Sequence, residues 1–294
     1  MEQIVFQTPF GEWRLTSAPP PPDLAAFVAE LWEISGVAGY GYEKLIPRGM
    51  ADFVINLGPP QNVLQSPSDC APPTYKDAWL SGIHDVPLFA APAHGSGAFN
   101  THFVGARLKP EGVSGLFGID ARDVANRVVE AEDFAGAPVR SVRAQIGEAT
   151  DVDTRFSILA AFLREQRKSI GRSPAPSVIW AIERTLYMGG TLRIDHLCAE
   201  LSVSRKHLNT LYKNAVGLSP KTFARLSRFR AVMDRLEAPA NETWVGIAID
   251  RGYFDHAHLV RDFNQFTGEA PDAFLKNRGP DGESVSYAEA PGGG

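Results

Sequence analysis

The chain has 294 residues, of which 44% are hydrophobic and 21% are charged, as expected for a globular protein of about two domains. No apolar run approaches the roughly 18 residues that a membrane span needs, and no charged-then-apolar signal segment opens the chain. Cys70 and Cys198 are too few for a disulfide framework or a cysteine zinc site. We therefore expect a protein of the reducing cytoplasm.

The net charge of −5 is unfavourable for a nucleic-acid partner, but the charge is unevenly distributed. Residues 1–171 hold 14 basic and 20 acidic side chains, whereas residues 172–278 hold 15 basic and 11 acidic ones. Asp281, Glu283 and Glu289 add further negative charge after that segment. The excess of positive charge indicates 172–278 as the segment that a nucleic acid would contact.

The first half of the chain consists of short apolar segments separated by glycine and proline, which predicts a β-rich domain. The predicted strands are 4–6, 13–15, 52–58, 79–83 and 100–108. Residues 59–75, rich in Pro, Ser and Asn, are predicted to form a long loop. Many short strands with this punctuation are typical of a barrel or sandwich.

Helices are also predicted before the linker. Asp23 is a candidate N-cap for a short helix that ends at Leu31. After the last strand, the apolar pattern becomes helical at 110–116, 121–129 and 153–167. The Gly- and Pro-containing segment 169–177 is the predicted linker to the C-terminal half.

Three histidines of this half, His84, His94 and His102, are the residues from which a metal cupin site would be built. They lack the close His-x-His pair that such a site needs, and no nucleophile elbow, P-loop or dinucleotide fingerprint occurs. Arg48 and Arg107 could meet an anionic effector, although pairing with nearby acids is the simpler interpretation. A catalytic, metal cupin-like domain with a regulatory DNA-binding tail stays the alternative; we predict no catalysis, cofactor or metal.

The C-terminal half begins with a helix-turn-helix pattern. One helix face is apolar at the i, i+3, i+4 and i+7 positions Ile194, Leu197, Cys198 and Leu201. A turn follows, and Ser204 is a candidate N-cap for a second helix. The outward face of that helix carries Lys and Asn, which can contact base edges in the major groove. The candidate DNA-binding residues of this unit are Ser204, Arg205, Lys206, Asn209, Thr210 and Lys213.

A second unit of the same kind follows. Gly252 supplies its turn, and Asp255 is the candidate N-cap of its second helix. The candidate DNA-binding residues are His256, His258 and Arg261, of which Arg261 is the strongest reader because of its planar donor fork. Residues at i and i+2 on a helix point apart, so the two histidines do not form a metal-binding pair.

The two units are copies of one pattern. Ser204, Leu208, Tyr212, Gly217, Pro220 and Phe223 are each followed, 51 residues later, by Asp255, Leu259, Phe263, Gly268, Pro271 and Phe274. One polar helix face alone is as readily a solvated surface, but two in tandem favour DNA binding. A module whose helices bind protein is a third alternative. The polar, basic outer faces argue against it, because partner grooves require apolar anchors.

The second unit also carries a family resemblance. Ala248-Ile-Asp-Arg-Gly-Tyr-Phe-Asp-His-Ala-His-Leu-Val-Arg-Asp-Phe263 is followed by Gly268-x-x-Pro271-x-x-Phe274. With these motifs, the region of about 175–277 resembles the DNA-binding domain of the AraC/XylS family of transcriptional regulators. Residues 43–58 are similar to a variant N-terminal domain found in front of such modules. Ser202 departs from the pattern, since it stands where the first turn usually has Gly.

The resemblance implies an α+β protein with an N-terminal β-rich (barrel or cupin-like) domain and a C-terminal all-α domain of two helix-turn-helix units joined by a long helix. We expect the domains at 1–168 and 178–278, and a disordered tail at 279–294. The implied function is that of a sequence-specific transcription factor whose recognition helices enter major-groove segments about 34 Å apart. The implied partners are double-stranded DNA, a small-molecule effector, a second copy of the chain and, for an activator, RNA polymerase.

Overall fold

The computed structural model describes residues 1–64, 66, 69, 71–93, 95, 97–170, 173–236, 244–280, 282 and 284–288. Cys70 and His94 lie outside these residues. A β-rich N-terminal region is followed by helices, which confirms the expected α+β class. No helix in the described ranges is long and apolar enough to cross a membrane.

The N-terminal region is built from antiparallel strands. In chain order these are β1 (Glu2–Thr8), β2 (Gly11–Ala18), β3 (Val28–Ala38), β4 (Tyr42–Leu45), β5 (Ala51–Asn56), β6 (Gln61–Leu64), β7 (Thr74–Tyr75), β8 (Ala78–Ser81), β9 (Leu88–Pro92), β10 (Phe99–Leu108) and β11 (Val128–Glu130), with β12 (Ser284–Tyr287) from the end of the chain. One sheet has the order β1-β2-β3-β10-β5-β8-β11, and the other has the order β12-β4-β9-β6-β7. Residues of both sheets line a common cavity, so the sheets face each other; this two-sheet body is called the barrel below.

The helices follow the barrel strands. Those packed on the barrel are α1 (Gly112–Phe117), α2 (Glu132–Ala135), α3 (Pro138–Glu148) and α4 (Val152–Lys168), and a 3₁₀ turn lies at Ala121–Asp123. Those of the C-terminal region are α5 (Pro176–Tyr187), α6 (Ile194–Glu200), α7 (Arg205–Val216), α8 (Pro220–Leu236), α9 (Trp244–Asp250), α10 (His256–Thr267) and α11 (Pro271–Asn277). The predicted helix at 153–167 is confirmed as α4.

Alternation along the strands of the larger sheet divides its side chains between two environments. Phe53 faces outward and packs against Phe117 of α1 and Phe162 of α4, each with ring centroids 5.5 Å apart. The neighbouring residue Val54 faces the barrel interior together with Trp79. The outer face therefore supports the helices, and the inner face lines a cavity.

The predicted helix at 23–31 is wrong. Residues 22–27 form turns, and Leu31 lies in strand β3. Leu24 and Phe27 are buried as the apolar spacing predicted, but the spacing did not specify the backbone. Asp23 therefore has no helix to cap. Its carboxylate instead accepts a hydrogen bond from Arg164 Nε of α4 at 2.6 Å.

Two further expectations are corrected. The predicted helix at 121–129 is a 3₁₀ turn followed by β11, because Asn126 adopts a φ of 56° and ends any helical run there. The loop predicted at 59–75 contains the short strands β6 and β7.

The tail expected to be disordered from residue 279 onward contains strand β12. This strand pairs antiparallel with β4, with Ser284 opposite Leu45 and Tyr287 opposite Tyr42. The expectation of a disordered tail is therefore wrong for Ser284–Tyr287. The chain returns to the barrel after the C-terminal helices, a contact between distant segments that local composition does not reveal.

Candidate nucleic-acid interface and barrel cavity

The first helix-turn-helix unit consists of α6, a turn and α7. The Ser204 hydroxyl caps α7 by accepting a hydrogen bond from the His207 backbone N–H at 3.1 Å. Leu208 and Tyr212 are fully buried. Gly217 follows the helix with a φ of 88°, in the left-handed region that glycine adopts at little cost. The predicted N-cap, the buried apolar face and the glycine that ends the helix are all present.

The second unit consists of α9, a turn and α10, and it repeats these features. The Asp255 carboxylate caps α10 by accepting a hydrogen bond from the His258 backbone N–H at 2.7 Å. Leu259 and Phe263 are fully buried, and Gly268 follows the helix with a φ of 75°. Residues 51 positions apart thus have the same structural roles.

The two turns differ in length by one residue. The Val203 N–H donates to the Cys198 carbonyl at 3.0 Å, and the Tyr253 N–H donates to the Ala248 carbonyl at 2.9 Å. These bonds are offset by 50 residues, whereas the caps that follow are offset by 51. The additional residue is Phe254, whose side chain is 90% exposed. An exposed aromatic ring therefore precedes the cap of the second recognition helix.

Ser202 lies in the first turn with a φ of 53°. This is the left-handed region, which costs a residue with a Cβ roughly 1 kcal/mol. Its counterpart in the second turn is Gly252, with a φ of 72°. Ser202, where the sequence departs from the family pattern, therefore has a strained backbone.

Helix α8 packs against both units. Phe223 lies against Tyr212 of α7, with ring centroids 6.1 Å apart, and Phe229 lies against Phe263 of α10 at 5.2 Å. A buried ion pair adds a polar contact, since Arg225 of α8 donates through Nε and Nη2 to Asp262 Oδ1 at 2.9 and 2.6 Å. Both recognition helices are therefore fixed to one element.

Most of the candidate DNA-binding side chains point away from this core. Lys206, Thr210 and Lys213 of α7 are exposed, as are His256 and Arg261 of α10. Within the described part of the chain, Lys206, Lys213 and Arg261 form no ion pair, so their donors are available to a partner. Asn209 is half-buried at the edge of the same face.

Three other candidates have structural partners. Ser204 is the cap of α7. Arg205 donates through Nε to Asp195 of α6 at 2.6 Å, an exposed contact. The half-buried His258 ring meets the Tyr253 ring edge-on, with centroids 5.1 Å apart. These residues support the helices in addition to any role in binding.

The barrel encloses a cavity of about 270 Å³ between its two sheets. Three of the five tryptophans in the chain, Trp13, Trp32 and Trp79, line it together with Phe103. Its charged lining residues are Glu43, Arg48, Asp52 and Arg107. The wall is thus largely aromatic, and its charged groups balance in sign.

Charged groups of the wall are paired within the chain. Arg107 donates to the Glu30 carboxylate, and its Nε lies 3.5 Å from Asp52 Oδ1. Trp32 Nε1 donates to the same Asp52 oxygen at 3.2 Å. Arg107 is therefore an ion-pair partner, as the simpler interpretation of the sequence predicted.

His84 is a buried titratable group in the cavity wall. Its Nε2 lies 3.0 Å from Ser81 Oγ. Burial lowers the pKa of His84 to about 4, although the Asp85 carboxylate acts in the opposite direction. The imidazole is therefore neutral at pH 7.

The histidines do not form a metal site among the residues that the structure describes. No group of three or more His, Cys, Asp or Glu side chains there could hold a metal ion. His102 lies 3.0 Å from Glu33, which also accepts a hydrogen bond from Arg155 of α4 at 3.0 Å. This cluster joins α4 to the larger sheet.

The cavity wall is close to helix α7 of the first helix-turn-helix unit. Gly82 of the wall leaves no room for a side chain, since a Cβ there would lie 1.9 Å from the Val124 carbonyl oxygen just after the 3₁₀ turn. On the other side of that turn, a Cβ at Gly217 would lie 2.8 Å from the Ala121 carbonyl oxygen. The 3₁₀ turn is thus packed between the cavity wall and the end of α7.

Comparison with family models divides the chain into two parts. Residues 197–277 match a helix-turn-helix domain, and residues 16–130 match a domain of unknown function (DUF6597). No curated protein matches the chain. Together with the motifs of both units, the first match establishes an AraC-type helix-turn-helix domain. The chain is a DNA-binding transcription regulator.

Solved structures give only distant similarities. ToxT from Vibrio cholerae O395 is 11% identical, over 84% of this chain and 97% of that chain, with a TM-score of 0.48. Unsaturated fatty acid bound ToxT from strain SCE256 is 12% identical, over 83% and 94%, with a TM-score of 0.48. Oxalate decarboxylase from Bacillus subtilis is 12% identical, over 50% and 35%, with a TM-score of 0.23. Similarity at this level assigns neither a ligand nor a reaction.

Replacing Ser202 by glycine is expected to stabilise the protein by about 1 kcal/mol, because glycine adopts the left-handed backbone without the Cβ clash. Urea denaturation followed by circular dichroism measures the change in the free energy of unfolding. Ser202→Ala keeps the Cβ and should give no such gain. A loss of stability in Ser202→Gly would show that the turn is not strained.

The low pKa of His84 predicts a pH-dependent stability. In the unfolded chain the His84 imidazole is protonated below its pKa of about 6.5. In the folded protein it is protonated only near pH 4. The stabilising contribution is therefore complete above pH 6.5 and is lost as the pH falls towards 4, by up to about 3 kcal/mol.

His84→Gln should remove this part of the pH dependence. The free energy of unfolding is measured by urea denaturation between pH 7 and 4, with the exposed His196→Gln as the matched variant. An unchanged slope in His84→Gln would mean that the imidazole binds its proton equally well in the folded and the unfolded state, so that burial does not lower its pKa.

Proposed function

We propose that this protein reads two adjacent major-groove segments of double-stranded DNA, with α7 in one and α10 in the other. The proposal rests on one observation, which is that α7 and α10 have the same structural features. Each is capped at its N-terminus, each buries its apolar face, and each leaves basic side chains exposed without an ion pair among the described residues. Lys206 and Arg261 have the donors that match guanine in the major groove.

The family resemblance suggests a function for each domain. We infer that residues 1–168 bind an effector and mediate dimerisation, that 169–177 link the two halves, and that 178–278 bind DNA. A second copy of the chain, and RNA polymerase in the case of activation, are the further partners. The positive charge of 172–278 supports this assignment, because attraction to phosphate brings the helices to the duplex.

The barrel cavity is the proposed effector site, and its wall indicates the class of ligand. Trp13, Trp32 and Trp79 offer ring faces and edges for stacking. The charged groups balance in sign, Arg107 is paired with Asp52, and His84 is neutral, so the wall offers no excess charge to offset the loss of water from a charged ligand. We infer an uncharged, aromatic small molecule.

Arg261→Ala is expected to weaken binding to a duplex selected for this protein by about 1–3 kcal/mol, the value of one good base contact. Fluorescence anisotropy on the selected duplex and on a random duplex of equal length measures both affinities. Lys168→Ala, at an exposed lysine of α4, is the matched control. An equal loss on both duplexes would assign Arg261 to phosphate positioning instead of base reading.

The cavity assignment can be tested with 2-naphthol as a neutral aromatic probe. Calorimetry should show binding to the wild type and little to Ala90→Leu, because Ala90 lines the cavity. The control is Ala91→Leu, whose side chain projects from the opposite face of β9. Equal binding to both variants would place the probe elsewhere. Equally tight binding of 2-naphthoate would exclude the uncharged class.

A further inference from the structure

Strand β4 separates the cavity from the second helix-turn-helix unit. Its side chains alternate, so that Glu43 and Leu45 line the cavity, whereas Tyr42 and Lys44 face the other way and are buried. The residue that Lys44 meets there is Glu269, which lies between α10 and α11. One short strand therefore contacts the effector cavity on one side and the DNA-binding region on the other.

The contact is a buried ion pair with a third member. Lys44, whose side chain is 5% exposed, donates to Glu269 Oε1, and Tyr287 Oη of β12 donates to the same oxygen at 3.0 Å. The Tyr287 ring stacks on Tyr42 of β4, with centroids 4.5 Å apart and planes 6° from parallel. Strand β12, which lies beside β4 at the edge of the smaller sheet, thus adds a hydrogen bond and a stacked ring to the pair.

The Glu269 side chain is held in its ionised form. Burial raises its pKa, but the hydrogen bond and positive charge of Lys44, together with bonds from Tyr287 and Asn277, act more strongly, and the pKa is lower than usual. Its backbone is also fixed, since the Glu269 N–H donates to Thr267 Oγ1 at 3.1 Å and the Glu269 carbonyl accepts from the same hydroxyl at 2.9 Å. The carboxylate is therefore presented rigidly at the end of the second unit.

The ion pair is not needed to hold the two helix-turn-helix units together. That role belongs to α8, through the ring contacts of Phe223 and Phe229 and the pairing of Arg225 with Asp262. The Lys44 contact instead joins the second unit to the N-terminal region, whose residues 1–171 contain 20 acidic and 14 basic side chains. An acidic body held beside a basic, DNA-reading region opposes the approach of phosphates.

We propose that Lys44, Glu269 and Tyr287 form an autoinhibitory latch that holds the acidic barrel against the second helix-turn-helix unit, and that opening it strengthens DNA binding. The proposal rests on the DNA-binding function proposed above. Because β4 also forms part of the cavity wall, a ligand that displaces Glu43 or Leu45 would move Lys44 on the opposite face. The latch is thus the element through which cavity occupancy reaches the DNA-binding helices.

Glu269→Gln tests the latch, because it removes the charge with little change of shape and leaves Lys44 buried without its partner, an unfavourable state. In the full chain, hydrogen exchange should become faster at the backbone amides of 42–45, 268–277 and 284–287. Affinity for a random duplex at low salt should rise about three- to tenfold, as expected for removing repulsion of like charge. Glu132→Gln, which breaks the exposed pair with Arg140, should change neither.

If Glu269→Gln does not fold, Lys44→Met carries the same test, since it removes the ion pair and leaves the Glu269 carboxylate with Tyr287 and Asn277 as hydrogen-bond donors. Unchanged hydrogen exchange would show that the ion pair does not hold the two parts together. Faster hydrogen exchange with unchanged or weaker DNA affinity would show that the contact supports the structure but does not inhibit DNA binding. Either result overturns the proposal. A wild-type chain that binds no duplex at low salt would instead contradict the DNA-binding function, while the exchange data would still report on the contact.

Discussion

Helix α8 is the element on which the arrangement of the DNA-binding region depends. Phe223 near its start packs on Tyr212 of α7, and Phe229, six residues later, packs on Phe263 of α10. Each fully buried aromatic side chain contributes roughly 1.5–3 kcal/mol, so moving either recognition helix away from α8 would expose several such groups. The spacing of the two helices is therefore set by packing against a common support, and a duplex meets them in a fixed relation.

The barrel packs directly against the DNA-binding region and is not connected to it by the linker alone. Alternation in the strands sends one set of side chains to the helices and the other to the cavity, so the cavity wall is one residue thick. The 3₁₀ turn at Ala121–Asp123, which is packed near Gly82, and the outer face of β4 each contact the DNA-binding region. A ligand can shift the balance between two arrangements only through different affinities for them. A wall shared by both domains is a place where such a difference can arise.

Much of the C-terminal region could be predicted from the sequence, because its determinants are local. Ser204 and Asp255 cap helices through residues three positions away, and the apolar spacing specifies which side chains are buried. The longer second turn, with Phe254, does not show in the 51-residue repeat, because the repeated residues begin at the caps. In the N-terminal half, Asp23 pairs with Arg164 and β12 pairs with β4. The cavity and the Lys44–Glu269 pair likewise depend on partners far away in the chain, which no local pattern encodes.

Selection of bound sites from a random duplex library, with the full chain and at two salt concentrations, tests most directly whether both recognition helices read bases. Two enriched sequence blocks, centred about one helical turn apart at roughly 10–10.5 base pairs, are the expected result. The blocks should persist at the higher salt, because base contacts do not depend on counterion release as phosphate contacts do. A library without enrichment, together with binding that disappears as salt rises, would contradict base reading and leave only contact with the phosphate backbone.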